Sequence, residues 1–216
     1  MSDGRLFIGN KRYSSWSLRG WLAVHLAKLD VEEVVIPLAG GSTPAIKEAT
    51  PAGLVPYLEH HGARVWESLS IIEYCSEHAA LWPLAPVPRA MARSVAAEMH
   101  AGFRELRMAM PMNLGREFPG QRRTPGALAD IARIEALWAE CLEISGGPYL
   151  FGLDISGADI MFAPVVCRFL TWQPELSETS HRYIEQMRGH PLMHRWYEEA
   201  LAEPEAWQLD KYENPA

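Results

Sequence analysis

Residues 82–88, Trp82-Pro83-Leu84-Ala85-Pro86-Val87-Pro88, hold three prolines in seven positions. That density suits neither a helix interior nor a central strand, because proline lacks the backbone N–H that both ladders need. Such a stretch reads as an interdomain linker, and the patterning on its two sides differs accordingly.

Before it, short β-like runs alternate with helical ones. Residues 6–8 form a short apolar run, residues 16–29 place apolar side chains at 18, 21, 22 and 26, and residues 31–38 are rich in β-branched and apolar side chains. That is a βαβ unit, whose natural product is a parallel pair. A short helix over 44–49, runs over 55–59 and 64–66 joined by a tight turn at His61-Gly62, and a helix over 68–78 follow. The order βαβαββα is that of a thioredoxin-like sheet. Beyond the prolines only helical periodicity is found, over 89–110, 125–145, 156–171, 177–189 and 190–203. The expected class is therefore α/β plus all-α: a thioredoxin-like N-terminal domain over 1–82, a linker over 83–88, and an all-helical C-terminal domain over 89–216.

A formal net charge of −7 provides no basic footprint for a phosphate backbone, so nucleic acid is not an expected partner. The first ten residues, MSDGRLFIGN, lack the basic and apolar regions of a signal peptide, and no apolar run is long enough to span a bilayer. A cytoplasmic protein without membrane association is expected. Cys75, Cys141 and Cys167 are far apart and read as buried free thiols, with no zinc-binding spacing. His60-His61 stand at a turn, where exposure is expected, and no histidine pattern implies a metal. Gly40-Gly41-Ser42 lacks the lysine of a phosphate loop.

Three segments stand out. Tyr13-Ser14-Ser15-Trp16-Ser17-Leu18-Arg19 lies where the first strand turns into the first helix, a place where serine caps the helix. Thr50-Pro51-Ala52-Gly53-Leu54-Val55-Pro56-Tyr57-Leu58 puts a proline at the start of a strand, where only the first N–H is given up. Trp66-Glu67-Ser68-Leu69-Ser70-Ile71-Ile72-Glu73-Tyr74 leads a strand into a helix whose N-terminus would hold a carboxylate readily. In the second half, Ser156-Gly157-Ala158-Asp159 has the spacing of a capping box, with a structural role.

In this order and at these separations, the segments resemble those of the glutathione transferase superfamily; the first is similar to the S-S-C-x-W-R segment of the zeta class. The resemblance implies an enzyme that uses glutathione as co-substrate and adds its thiolate to a small electrophile. It implies that a serine at the first turn hydrogen-bonds the sulfur, with Ser14 ranked first, Ser15 second and Tyr13 third. It implies a cis peptide at Val55-Pro56, backbone pairing of Val55 with the tripeptide, and binding of the γ-glutamyl group by Glu67 and Ser68. A homodimer and the absence of any metal are implied too. Trp16 stands where the zeta segment has cysteine, so no cysteine nucleophile is present at this turn. The second substrate is expected in an apolar cleft near Met108, Met110, Met112 and Phe118, with Trp172 a further candidate. Alternatives on the same fold are a non-catalytic glutathione-binding or regulatory module and a glutathione-dependent isomerase or peroxidase.

Overall fold

The computed structural model describes residues 2–214. Strand β1 (Gly4–Gly9), helix α1 (Ser15–Leu26) and strand β2 (Val31–Ile36) form the expected parallel βαβ unit. Helix α2 (Pro44–Ala49), the hairpin β3 (Tyr57–His60) and β4 (Ala63–Trp66), and helix α3 (Ser68–Ser76) complete it. The sheet order is β2-β1-β3-β4, with β3 antiparallel to both its neighbours. The second half is helical: α4 (Pro86–Ala101), α5 (Arg104–Ala109), α6 (Pro125–Ser145), α7 (Gly157–Trp172), α8 (Glu178–Gly189), α9 (Pro191–Leu201), a 3₁₀ turn at Glu205–Trp207 and α10 (Asp210–Glu213). The architecture is the expected thioredoxin-like sheet domain followed by helices. No helix among the described residues is long and apolar enough to cross a membrane.

Two boundaries differ from the sequence expectation. Helix α4 starts at Pro86, so Pro86 and Pro88 occupy its first turn rather than a linker. Prolines are tolerated there because those N–H groups have no intrahelical partner in any case. The expected single helix over 89–110 is two helices, α4 and α5. Gly102 is extended (φ −101°, ψ −164°) and Phe103 left-handed (φ 57°, ψ 43°), and burial of the Phe103 ring accompanies the break.

Helix α1 is wedged between the halves, which explains why so much of it is buried. A Cβ at Gly20 would lie 2.8 Å from Pro56, so glycine allows α1 to approach the start of β3. On its other side the Arg19 Nε donates to the Met161 carbonyl of α7 (2.9 Å). Trp21 packs edge-on against Trp196 of α9, with ring centroids 5.2 Å apart. Around this contact Lys11 pairs with Glu33 (2.6 Å) and with Glu199, and Trp21 Nε1 donates to Glu33 (2.7 Å).

Burial opposes ionisation of Glu33, but hydrogen bonds from His25, Lys11 and Trp21 and the Lys11 charge outweigh it, bringing the carboxyl down to about 2 from 4.5. A depressed folded-state value means that the stabilisation is fully present above about pH 4.5 and is lost as pH falls toward 2. Glu33→Gln is therefore expected to destabilise the protein by about 2–3 kcal/mol near neutrality. Thermal melts of both proteins from pH 7 downward check this: the gap should close in acid, and a gap independent of pH would exclude the account.

Candidate active site

A cleft of about 630 Å³ opens between the sheet domain and the helices, a size typical of small-molecule sites. Ser14, Ser15, Thr43, Lys47 and Val55 line it from the sheet domain, and Arg107, Met112, Arg168 and Tyr212 from the helical side. A smaller pocket of about 220 Å³ shares Trp16, Leu54 and Val55 with it and adds Pro56, Trp66 and Glu67. Side chains from all three sequence segments thus line two neighbouring pockets that share Trp16, Leu54 and Val55.

At its floor is the N-terminus of α1. Ser14 is the N-cap: its Oγ accepts from the Ser17 N–H (3.4 Å) and lies 2.7 Å from the Ser17 hydroxyl, which in turn accepts from the Gly9 N–H (2.9 Å). Ser15 begins the helix, and its half-buried hydroxyl accepts from Arg168 Nη2 at 3.4 Å. Tyr13 is differently employed. Its hydroxyl donates to Glu213 (2.5 Å) and accepts from the Leu209 N–H (3.2 Å). Burial and the Glu213 carboxylate push its pKa far up. Glu213 also pairs with Arg116 (2.7 Å) and receives Asn113 Nδ2 (3.1 Å), so α10 is held in place where its Tyr212 lines the cleft.

The Val55–Pro56 peptide is cis. Both residues precede the β3 ladder, which starts at the pair Phe7 and Tyr57. Glu67, the N-cap of α3, has the left-handed φ of 66° with ψ 128°, uncommon for a residue with a side chain. Its carboxylate is half exposed, 3.9 Å from His100 Nε2 of α4. Ser68 is fully buried, and its hydroxyl has no hydrogen-bond partner among the described residues. An orphaned buried hydroxyl at a helix N-terminus is costly unless something else meets it.

The helical wall holds what the sequence reading missed. Arg168 lies in α7 and is 6% exposed; Arg107 lies in α5 and is half buried. Arg19 is 1% exposed behind them. The Arg19 and Arg107 guanidinium carbons stand 4.6 and 4.9 Å from the Trp16 ring centroid, while His100 meets that ring edge-on. Trp16 thus acts as an aromatic rest for two cations. A signal was present: Arg168 is the one charged residue in the run Ile160 to Trp172, IMFAPVVCRFLTW.

The methionine expectation is largely corrected. Met112 lines the cleft, but Met108 is exposed, Met110 and Trp172 are fully buried in the core, and Phe118 packs on Trp172 with centroids 4.8 Å apart. His60 is also buried rather than exposed, its Nδ1 2.8 Å from the Tyr74 hydroxyl. Cys75, Cys141 and Cys167 are buried free thiols, and burial pushes them up to about 12, 12 and 11.

Residues 13–78 match the family model described as Glutathione S-transferase, N-terminal domain, and residues 92–199 match Glutathione S-transferase, C-terminal domain. A Caenorhabditis elegans protein named probable maleylacetoacetate isomerase is 29% identical over 174 residues, spanning 77% of this chain and 79% of that one. Maleylacetoacetate isomerase of Rattus norvegicus is 28% identical over 185 residues, spanning 82% and 84%. A Burkholderia glutathione transferase homolog solved with bound glutathione superposes with a TM-score of 0.71 at 20% identity, covering 93% of this chain and 99% of that one. At that identity the likeness concerns the fold.

Proposed function

The chain belongs to the glutathione S-transferase family, and on that premise we propose that it binds glutathione in the two pockets and uses the bound thiolate on a small electrophile. The observation that carries this reading is the unpartnered Ser68 hydroxyl at the start of α3, in a protein whose Ser14, Ser15, Val55, Pro56 and Glu67 line two neighbouring pockets. In this reading Ser68 and the first amides of α3 hold the γ-glutamyl carboxylate, and Glu67 receives its ammonium. The Val55 backbone pairs with the tripeptide, Pro56 fixing its entry, and the sulfur lies at the N-terminus of α1.

A free thiol with pKa about 8.5 is mostly protonated at neutral pH, whereas the thiolate is the nucleophile. Here the first-turn amides, the helix dipole and a serine hydroxyl favour the anion. Ser14 is the proposed donor: the proton that its hydroxyl gives to Ser17 turns to the sulfur when glutathione is bound, and the Gly9 N–H still satisfies Ser17. Ser15 is the second candidate, its hydroxyl backed by Arg168. The thiolate attacks an electrophilic carbon, the C–S bond forms, and the leaving group departs with its electron pair. The relatives named maleylacetoacetate isomerase support a second use of the same thiolate. It would add to an unsaturated carbon, allow rotation, and be expelled unchanged.

Residues 1–82 form the glutathione-binding unit of this proposal and the helices from Pro86 onward the helical unit, joined through 83–85, in a cytoplasmic homodimer. Calorimetry of glutathione against the purified chain tests it. The wild type is expected to bind, and Ser68→Ala to lose roughly ten- to a hundredfold in affinity, the range for a hydrogen bond to a charged group. No heat and no rise in melting temperature for the wild type would sink the proposal. Binding without turnover of electrophiles, peroxides or cis-trans substrates would favour the non-catalytic module. Sedimentation of the same sample checks the dimer.

A further inference from the structure

The two carboxylates of glutathione do not account for the cations on the helical wall. Arg19, Arg107 and Arg168 cluster beside Ser15 and Trp16, yet none forms an ion pair with a carboxylate among the described residues. Their hydrogen bonds run to neutral groups. Arg168 Nη1 donates to the Pro164 carbonyl (3.2 Å), Arg19 Nε to the Met161 carbonyl, and Arg107 Nη2 to the carbonyls of Met99 and His100 (3.1 Å). Asp130 acts on Arg107 from a distance, and its carboxylate receives the Leu106 N–H (2.9 Å).

Each arginine also keeps a buried nitrogen with no partner: Arg19 Nη1, Arg107 Nε and Arg168 Nε. Like charges packed together out of water repel one another and lose solvation, so the arrangement is costly without an anion. Burial and the Arg107 charge lower Arg168 to about 10, and Arg107 is lowered chiefly by burial. Arg107 and Arg168 both line the large cleft, on the wall facing Lys47 and Val55.

The geometry points to a second-substrate subsite for an anionic electrophile, one carrying a carboxylate or comparable oxyanion that Arg107 and Arg168 receive while its reactive carbon faces the sulfur. This rests on the glutathione reading above and narrows its substrate class. Arg168, at 3.4 Å from Ser15, sets the anion beside the nucleophile. Arg19, out of the cleft lining, adds positive potential from behind and keeps Arg107 company on Trp16. With a chlorodinitrobenzoate as the electrophile, the thiolate forms a C–S bond at the chlorinated ring carbon, the C–Cl bond breaks and chloride leaves with the electron pair. The thiol proton has already gone to solvent, and the carboxylate takes no part in bond making. Its function is to orient the ring.

The test uses two glutathione conjugates, one carrying dinitrobenzoate and the other the matching neutral dinitrobenzamide, with glutathione alone as the reference ligand in each calorimetric series. The wild type is expected to bind the benzoate conjugate at least about tenfold more tightly than the benzamide, the lower bound for a charge-assisted hydrogen bond. Arg168→Met and Arg107→Met should each reduce that preference severalfold while glutathione affinity stays within about twofold, a change too small to count as a lost hydrogen bond. Arg168→Lys, which keeps the charge without the guanidinium fork, should retain part of the preference and guards against misfolding. Equal binding of the two conjugates by the wild type overturns the inference, as does binding of neither. So does a preference that survives both methionine variants, or an equal loss of glutathione affinity, which would assign the arginines to glutathione. Absence of glutathione binding alone, with the conjugate preference intact, would reject the proposed glutathione site and keep the anion subsite.

Discussion

Replacing Ser14 with alanine is expected to raise the titration midpoint of the bound thiol by about one to two pH units, since a hydrogen bond to a charged group contributes about 1.5–3 kcal/mol and one unit corresponds to 1.36 kcal/mol. The midpoint is read from thiolate absorbance of the glutathione complex. A depressed thiol pKa is a preference for the anion, so removing a donor moves the value up, and the loss of nucleophile is largest below the wild-type midpoint. At pH near 6.5 turnover should fall about ten- to a hundredfold, while well above pH 9 the two proteins converge.

Neighbouring hydroxyls make the comparison selective. Ser17 lies 2.7 Å from Ser14 and is itself held by the Gly9 N–H, so Ser17→Ala should produce a fraction of the same shift. Tyr13→Phe should leave the midpoint unchanged, because that hydroxyl is committed to Glu213 and Leu209. Ser14 is also the N-cap of α1, and its loss costs about 1 kcal/mol of stability through the cap alone. Melting curves separate that effect from the titration. A midpoint unmoved in Ser14→Ala but raised in Ser15→Ala transfers the role to Ser15 and its Arg168 neighbour.

The fold was legible because its signals are local. Alternation and helical periodicity mark strands and helices, and Ser14, Thr124, Ser156 and Ser177 all cap the helices that their sequence positions announce. Where the structure departs from the local pattern, the deciding physics is tertiary or positional. Phe103 breaks a good helical pattern with a left-handed backbone as its ring is buried. Pro86 and Pro88 looked like a linker because the proline rule concerns helix interiors, and the first turn is exempt.

The candidate site divides in the same way. The side proposed for glutathione is written in contiguous segments, each with its own turn or helix start, so Ser14, Val55, Glu67 and Ser68 stand out as candidates in the sequence. The wall opposite is assembled from α5 and α7, whose arginines are 61 positions apart (168 less 107) and meet only in three dimensions. Periodicity assigns Arg107 to an exposed face and Arg168 to a core, and gives no reason to pair them. Only the cleft that both line brings them together, Arg107 over Trp16 and Arg168 on the adjacent Ser15.

Asp159→Ala is expected to lower stability by about 3–5 kcal/mol, the cost of stranding several buried polar groups at once. The Asp159 side chain is fully buried and accepts four hydrogen bonds. One oxygen takes the Leu150 N–H (3.0 Å) and the Tyr183 hydroxyl (2.9 Å), and the other takes the Ser156 N–H (2.8 Å) and hydroxyl (2.6 Å). Alanine leaves those donors in a site closed to water. For a chain of this size the loss corresponds to a fall in melting temperature of roughly 6–20 °C. Asp159→Asn keeps one acceptor oxygen but turns an NH₂ toward two donors, so it should fall between alanine and wild type. Ser156→Ala, which removes the cap and keeps the carboxylate, should cost about 1 kcal/mol. The double variant should cost less than the sum, because both residues serve one network. A melting temperature for Asp159→Ala within about 2 °C of wild type, worth under 1 kcal/mol in a chain of this length, would rule the network out as a major source of stability. The same box fixes the start of α7, the helix that carries Arg168 to the cleft and offers the Met161 carbonyl to Arg19. Below its own melting range the alanine variant should therefore keep its glutathione affinity, because Ser68 and Val55 are held by the sheet domain, and lose part of the preference for the carboxylate conjugate.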